Sequence, residues 1–519
     1  MQTITIDPVT RIEGHLKVEA MVDGGTVKDA HLSGTLFRGI EIILRGRDPR
    51  DAQRITQRIC GVCPTSHSVA SALNLDSAFG IADKIPHNGR VMRNLIQGSN
   101  YLMSHILHFY HLCALDFVDV TAAADYQGAD AALQSLKNFI ARGALGPFVP
   151  RYEADFRLSR EQNLAAAAHY VEALDIRRLC HEMGAIFGAR MPLNQSIIPG
   201  GASETPTVDK IAEFLWKLNR VRNFVENAYI SDVLAVAKVY GDYGAIGAGL
   251  KRFLSYGAFD LEGGVEDHLL RKRALASGRV KAGGEVQAVD SGKIREEVAH
   301  SWFDDVCSAR PPYGKTEPAP GKFGAYTWMK APRYDCEPYE VGPLARMYIS
   351  YCQGNPKVKS LVDGALGALK AGPEVLFSVL GRHAARALEA KYVGDCMAEW
   401  VATLKPGEPI CADSQVPENA YGMGLTEASR GSLGHWIRIE GKRIANYQCV
   451  VPTTWNGSPR DAKGQPGPIE QTLVGTKIKD PANPVEIVRI VRSFDPCLAC
   501  AIHLVSARGR SLAKFHVPV

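Results

Sequence analysis

No stretch of this 519-residue sequence reaches the roughly 18 to 20 consecutive apolar residues that a membrane-spanning helix needs. Residues 1–7 lack the charged-then-apolar pattern of an export signal, so if the protein reaches a membrane or leaves the cytoplasm, a partner is expected to carry it. Charge of one sign is also scarce. The formal net charge is +5, and no Lys/Arg run is dense enough to track a phosphate backbone, which excludes nucleic acid as a partner. Fixed-period repeats and low-complexity linkers are absent, which argues against a solenoid or a string of modules. Cysteine is sparse, 12 in 519 residues, too few for a disulfide scaffold.

What is present is ordinary globular composition, 46% hydrophobic and 22% charged, in a chain long enough to bury a large core. The first 45 residues alternate apolar and polar positions (Leu16, Val18, Ala20, then Val27, Ala30, Leu32) around Asp23-Gly24-Gly25, which predicts a β-hairpin. Over residues 88–120 the apolar spacing changes to three or four, predicting a long helix, and helical spacing recurs over 160–187, 208–238 and 358–397. The expected fold is α+β and mainly α: a core of long helices with an N-terminal hairpin, small sheets and loop-rich surface excursions at 278–292, 310–321 and 452–484. Residues 1–503 are read as one large domain, because the residues that carry the chemistry lie near both ends.

Eight cysteines, Cys113, Cys180, Cys307, Cys336, Cys352, Cys396, Cys411 and Cys449, stand alone and read as small buried hydrophobes. His105, His108 and His111 share a helical face, but the apolar residues among them favour core histidines over ligands. The other four cysteines are paired. Cys60-Gly61-Val62-Cys63 is followed by His67, and Cys497-Leu498-Ala499-Cys500 by His503. Each loop brings two sulfurs within reach of one ion, and four thiolates select zinc, iron–sulfur or nickel. Spacing alone leaves three readings open: a closed structural zinc site, thiol–disulfide exchange, and an open catalytic metal site, with zinc ahead.

The flanks of these loops change that order. Asp7-Pro8-Val9-Thr10-Arg11-Ile12-Glu13-Gly14-His15, Phe37-Arg38-Gly39-Ile40-Glu41 with Gly46 to Ala52, Tyr339 to Arg346, Glu427-Ala428-Ser429-Arg430-Gly431, and Asn446 to Asn456 occur in order through most of the chain. In this combination the sequence closely resembles the large subunit of nickel–iron hydrogenases. The related quinone-reductase subunits share the fold but lack the cysteine set, which is complete here.

The resemblance implies an oxidoreductase that splits dihydrogen heterolytically. It places Cys60 and Cys497 as terminal ligands of nickel, and Cys63 and Cys500 as bridges to an iron carrying cyanide and carbon monoxide. Glu13 would accept the proton beside a terminal cysteine. Arg430 would overhang the open metal position with Asp495 orienting it, Thr453 would hydrogen-bond a diatomic ligand, and His67 would donate to a bridging sulfur or an iron ligand. Glu41, the carbonyl of Cys449 and His503 would hold magnesium. Many family members have proline where Ser429 stands, which puts the rigidity of that loop in question. Outside the two loops no cysteine cluster suits an iron–sulfur centre, so an iron–sulfur small subunit is implied as obligate partner. The family also implies metal-insertion proteins and a maturation endopeptidase that cuts after His503, removing residues 504–519. Periplasmic or membrane-associated placement through the small subunit is expected, with the cytoplasm as the alternative.

Overall fold

The computed structural model describes residues 1–143, 145–149, 151–152 and 155–501. His503 and the 504–519 segment lie outside them. The chain opens on an antiparallel sheet, β1 (Gln2–Ile6), β2 (Leu16–Asp23) and β3 (Thr26–Gly34). The β2–β3 hairpin turns at Gly24-Gly25, both at positive φ, and pairs Leu16 with Gly34. Its inward residues are the alternating apolar ones, Leu16, Val18, Ala20, Val27, Ala30 and Leu32, all buried.

The body is a pack of long helices: α1 (Pro64–Ala78), α2 (His87–Leu107), α3 (Arg160–Gly188), α4 (Val208–Phe224), α5 (Ile230–Val239), α6 (Pro343–Cys352), α7 (Val379–Val401) and α8 (Val485–Ser493). Helix α3 starts on a capping box between Ser159 and Gln162. The predicted 208–238 helix is continuous but carries a π-turn at Val225–Tyr229, and α2 passes into a similar turn at His108–Cys113. The predicted 358–397 helix is two. Pro356–Leu369 stops at Lys370, in the left-handed region, and Gly372-Pro373 prevents continuation before α7 begins.

A second antiparallel sheet, β4 (Asn419–Ala428), β5 (Gly431–Glu440) and β6 (Arg443–Val450), lies against α1 and was not anticipated beyond the general expectation of small sheets. Glycine permits the contact: a Cβ on Gly424 would lie 2.1 Å from the Ala70 carbonyl oxygen of α1. The segment after β6 also departs from expectation. Instead of a surface excursion, Pro452–Asn456 is a buried helical turn, and residues to Pro459 remain inside because their polar groups are matched there, Arg333 bonding Ser458, Pro459 and Asp461. Most buried apolar side chains join one cluster running from the first sheet to Ala501.

Candidate metal centre

The two cysteine loops meet although they are 437 residues apart. Cys60 Sγ lies 3.2 Å from Cys497 Sγ, Cys63 Sγ 3.2 Å from Cys500 Sγ, and Cys497 Sγ 3.1 Å from Cys500 Sγ. All four are free thiols, at most 2% exposed. Local backbone explains the convergence. Cys63 caps the N-terminus of α1, with Pro64 in the first turn, and the N–H groups of Val62 and Cys63 donate to Cys60 Sγ. At the other end Asp495, at φ 57°, turns the chain into the Cys497 loop. That loop is tied to the N-terminal segment by a parallel bridge, Glu13 N to Pro496 O and Leu498 N to Glu13 O.

Four buried thiols this close cannot all ionise without a counter-charge. Hydrogen bonds from Cys497 and its neighbours hold the Cys60 thiol well below its usual range, while burial pushes Cys497 and Cys500 well above theirs. A soft cation resolves that conflict, and the donor set, four sulfurs and no oxygen, fits one.

The carboxylate and guanidinium singled out in the sequence border the sulfurs. Glu13 Oε2 accepts from Cys497 Sγ at 3.2 Å and from Ala499 N at 2.8 Å. Burial, then the charge of Cys60, raises its pKa. Arg430 Nε donates to Asp495 O at 3.1 Å, and Arg430 Nη2 pairs with Asp495 Oδ1 at 3.0 Å. Burial alone would pull Arg430 down, but Asp495 and the thiols Cys497, Cys63 and Cys60 hold it well above the usual value. Thr453 Oγ1 accepts from Cys497 N at 2.9 Å, which leaves its own hydroxyl hydrogen to be turned elsewhere. His67 Nε2 lies 3.4 Å from Cys500 Sγ.

Glu41 and Cys449 are also together: Cys449 N donates to Glu41 Oε1 at 2.8 Å, and the Thr316 hydroxyl donates to Oε2. They line a small pocket with Glu296, Lys330 and Ala501. The third ligand expected there, His503, is outside the described residues.

Several further residues, some of them inside the sequence motifs, support the site. Arg346, at the end of the Tyr339–Arg346 motif, is fully buried and forks between Glu389 (2.6 Å) and Glu427 (2.8 Å). Its remaining hydrogens go to the carbonyls of Ala428 and Ser429, so it holds the strand end that carries Arg430. The Ser429 hydroxyl donates to Ser104 Oγ at 3.0 Å, tying the same turn to α2. Gly342 and Gly431, both at positive φ, let the two motifs touch; a Cβ on Gly431 would lie 2.8 Å from Gly342 N. His435 of β5 reaches His67 at 3.2 Å and is itself met by Tyr447 of β6 at 2.8 Å; Tyr447 lies in the Asn446 to Asn456 motif, whereas no local sequence signal marks His435.

The core histidines behave as expected. His105 bonds Glu389 at 2.7 Å, His108 the Arg492 carbonyl at 2.7 Å and His111 the Tyr170 carbonyl at 3.2 Å. His108 also groups with Cys113 and His383. The positive charges of Arg386, Arg382 and Arg492 face that cluster and oppose a cation there.

Fold and site together define a metalloprotein whose centre is built from both ends of the chain to take a soft metal. The model of the family described as nickel-dependent hydrogenase matches residues 38–503, and one described as HoxL-like matches residues 3–35. The periplasmic [NiFeSe] hydrogenase large subunit of Desulfomicrobium baculatum is 43% identical, over 97% of this chain and 95% of that protein. The uptake hydrogenase large subunit of Bradyrhizobium diazoefficiens is 39% identical, over 99% and 97%. The solved Ni-Fe-Se hydrogenase of Desulfovibrio vulgaris Hildenborough superposes with a TM-score of 0.84 at 46% identity, covering 97% of this chain and all of that one. The chain belongs to the nickel-dependent hydrogenases, as a catalytic large subunit, an oxidoreductase acting on dihydrogen. The structural zinc reading finds no support. Selenium appears in the names of some relatives, whereas this sequence has cysteine at all four donor positions.

Proposed function

We propose that this large subunit binds nickel through Cys60, Cys63, Cys497 and Cys500, with Cys63 and Cys500 also holding an iron that carries cyanide and carbon monoxide, and passes electrons to the iron–sulfur clusters of a small subunit. When bound, that group supplies the two-electron chemistry of heterolytic dihydrogen cleavage. The observation that carries the reading is the convergence of four thiols under Arg430, with Glu13 against one of them.

The residues then divide the work. Glu13, in contact with Cys497 Sγ and the Ala499 N–H, takes the proton and starts its exit. Arg430, oriented by Asp495 and kept protonated by it and by the neighbouring thiols, presents a fixed positive charge to the sulfurs. The Thr453 hydroxyl, oriented by the Cys497 N–H, donates to an iron ligand, and His67 donates to Cys500. Water is kept out because the thiols are nearly fully buried.

Glu41 and the Cys449 carbonyl, completed by His503, hold magnesium; the closeness of Glu41 to Cys449 supports this. Residues 1–503 act as one domain, and a maturation endopeptidase removes 504–519 after metal-insertion proteins have loaded the site. Among the described residues no helix is long and apolar enough to cross a membrane. With one relative named periplasmic and another quinone-reactive, attachment through the small subunit on the periplasmic side is favoured, the cytoplasm being the alternative.

Metal analysis and infrared spectroscopy of the purified heterodimer test the centre. One nickel and one iron per chain, with cyanide and carbon monoxide bands, is the expected result; stoichiometric zinc without nickel or iron overturns it.

A further inference from the structure

Between β3 and the Cys60 loop lies Arg38, whose place is fixed by its neighbours. Phe37 before it is buried, stacked on Trp328 with ring centroids 4.7 Å apart and edge-on to Phe303, and Gly39 after it turns the chain at φ 65° into the short helix Ile40–Leu44. The side chain left between these anchors spans both cysteine loops. Arg38 Nη2 donates to the carbonyl of Ile59 and, at 2.5 Å, to that of Ala499, while Nη1 donates to Arg58 O at 3.3 Å. One nitrogen thus joins the two ends of the chain.

Both bridged carbonyls belong to the residue just before a cysteine. Ile59 precedes Cys60 and Ala499 precedes Cys500, so the peptide groups that aim one sulfur of each pair are held at a common point. Ala499 is gripped from the other side as well, its N–H donating to Glu13 Oε2 at 2.8 Å. Its amide and its carbonyl are therefore both satisfied by side chains from the N-terminal end. Among the described residues no main-chain hydrogen bond joins 57–63 to 495–501, so the span between the two loops has to be set by a third party. Arg38 is half-buried, and among the described residues its hydrogen bonds all go to main-chain carbonyls and no carboxylate pairs with it. A charged donor makes stronger bonds to such carbonyls than an amide does.

We propose that Arg38 is a positioning residue that ties the Cys60 loop to the Cys497 loop through the carbonyls of Ile59 and Ala499, and so sets how firmly the four-sulfur site keeps its metal. The proposal rests on the reading of the four cysteines as nickel ligands. Because the tie is to peptide groups and not to sulfur, it acts on the span between the pairs and leaves the ligand set unchanged. Partners that orient ligands in this way are worth about ten- to a hundredfold in metal affinity.

The test uses the heterodimeric holoenzyme and follows nickel released to excess EDTA over time, together with hydrogen exchange of the peptides that carry residues 57–63 and 495–501. The amides of Leu498 and Ala499 are hydrogen-bonded to Glu13, so opening of their loop is read directly from them. Arg38→Met keeps an unbranched side chain without a donor, and it is expected to lose nickel about ten- to a hundredfold faster, with faster exchange confined to those two peptides. Arg38→Lys, whose ammonium can donate to two carbonyls at once, is expected to stay within about threefold of the parent. Where Arg38→Met does not accumulate, Arg38→Gln, too short to reach both carbonyls, takes its place with the same expectation. Nickel release at the parent's rate from Arg38→Met overturns the proposal and leaves the metal reading intact. Release from Arg38→Lys as fast as from Arg38→Met overturns it as well, and so does faster exchange across the whole chain, because a tie between two loops acts locally. A parent heterodimer without nickel overturns the metal reading, and the exchange of the two peptides still decides whether Arg38 joins the loops.

Discussion

Replacing Glu13 by glutamine separates its role in moving a proton from its role as a clasp between the chain ends. The clasp is mostly main chain: Glu13 N and O pair with Pro496 O and Leu498 N whatever the side chain. The side chain adds one bond from Ala499 N at 2.8 Å, which an amide oxygen still accepts, and the 3.2 Å contact with Cys497 Sγ, which an amide cannot use to take a proton. The glutamine variant is therefore expected to fold, bind its small subunit and hold nickel as the parent does. Its rate should fall by the ordinary worth of a positioned acid–base group, about 10²- to 10⁴-fold, or ~3 to 5 kcal/mol in the barrier. Glu13→Asp supplies the control. It keeps a carboxylate but withdraws it by one carbon–carbon bond, about 1.5 Å, beyond hydrogen-bond reach of the sulfur, and should fall between parent and glutamine. Dye-linked hydrogen uptake and hydrogen–deuterium exchange are the assays, normalised to nickel. Turnover of the nickel-replete Glu13→Gln variant within tenfold of the parent would refute the assignment of Glu13 as the first proton acceptor.

Other expectations are independent of that one. Arg346→Met leaves Glu389 and Glu427 buried without their shared cation; breaking such a pair costs about 3 to 5 kcal/mol, and a denaturant unfolding free energy within 1 kcal/mol of the parent would contradict it. Gly431→Ala places a Cβ 2.6 Å from Val341 Cγ2 at a φ of 139°, so Arg430 should be displaced and activity lost, and an active variant would show that the contact relaxes. Burial pushes the Glu470 carboxyl from 4.5 up to about 8, so the folded chain keeps a proton that the unfolded chain releases, and stability falls as pH rises through that window, by about 5 kcal/mol in all at ~1.4 kcal/mol per pKa unit. Glu470→Gln keeps an acceptor for Leu32 N and the Tyr326 hydroxyl and should lose that part of the slope between pH 5 and about 9; identical pH profiles would refute it. Intact mass of the nickel-loaded chain should be short of the full sequence by residues 504–519, and an active full-length chain would end the maturation proposal.

How much was legible in the sequence depended on distance along the chain. Two cysteines three residues apart advertise a ligand pair, and the alternation around Gly24-Gly25 advertises a hairpin, because both are local. Glu13 has no such mark: a glutamate near an N-terminus is ordinarily solvated, and only the motif around it pointed to a partner near residue 497. The second sheet escaped notice because β4 and β5 are rich in glycine and carry polar residues that are buried against α1, which hides the strand period. The break at Lys370 was missed because apolar spacing continued across it. His435 and Tyr447 could not have been found by spacing, since their partner is in α1, more than 360 residues earlier.

The parallel bridge between Glu13 and Cys497 has a consequence for the order of events during synthesis. Because the chain emerges N-terminus first, the loop of Cys60 and Cys63 and the helices behind it exist long before Cys497 and Cys500 are made. A nascent subunit thus offers two sulfurs, an incomplete set open on one side, and the last strip of sequence closes over whatever has been placed there. The site is fitted with a door hung last, so loading can precede closure and need not force open a finished core.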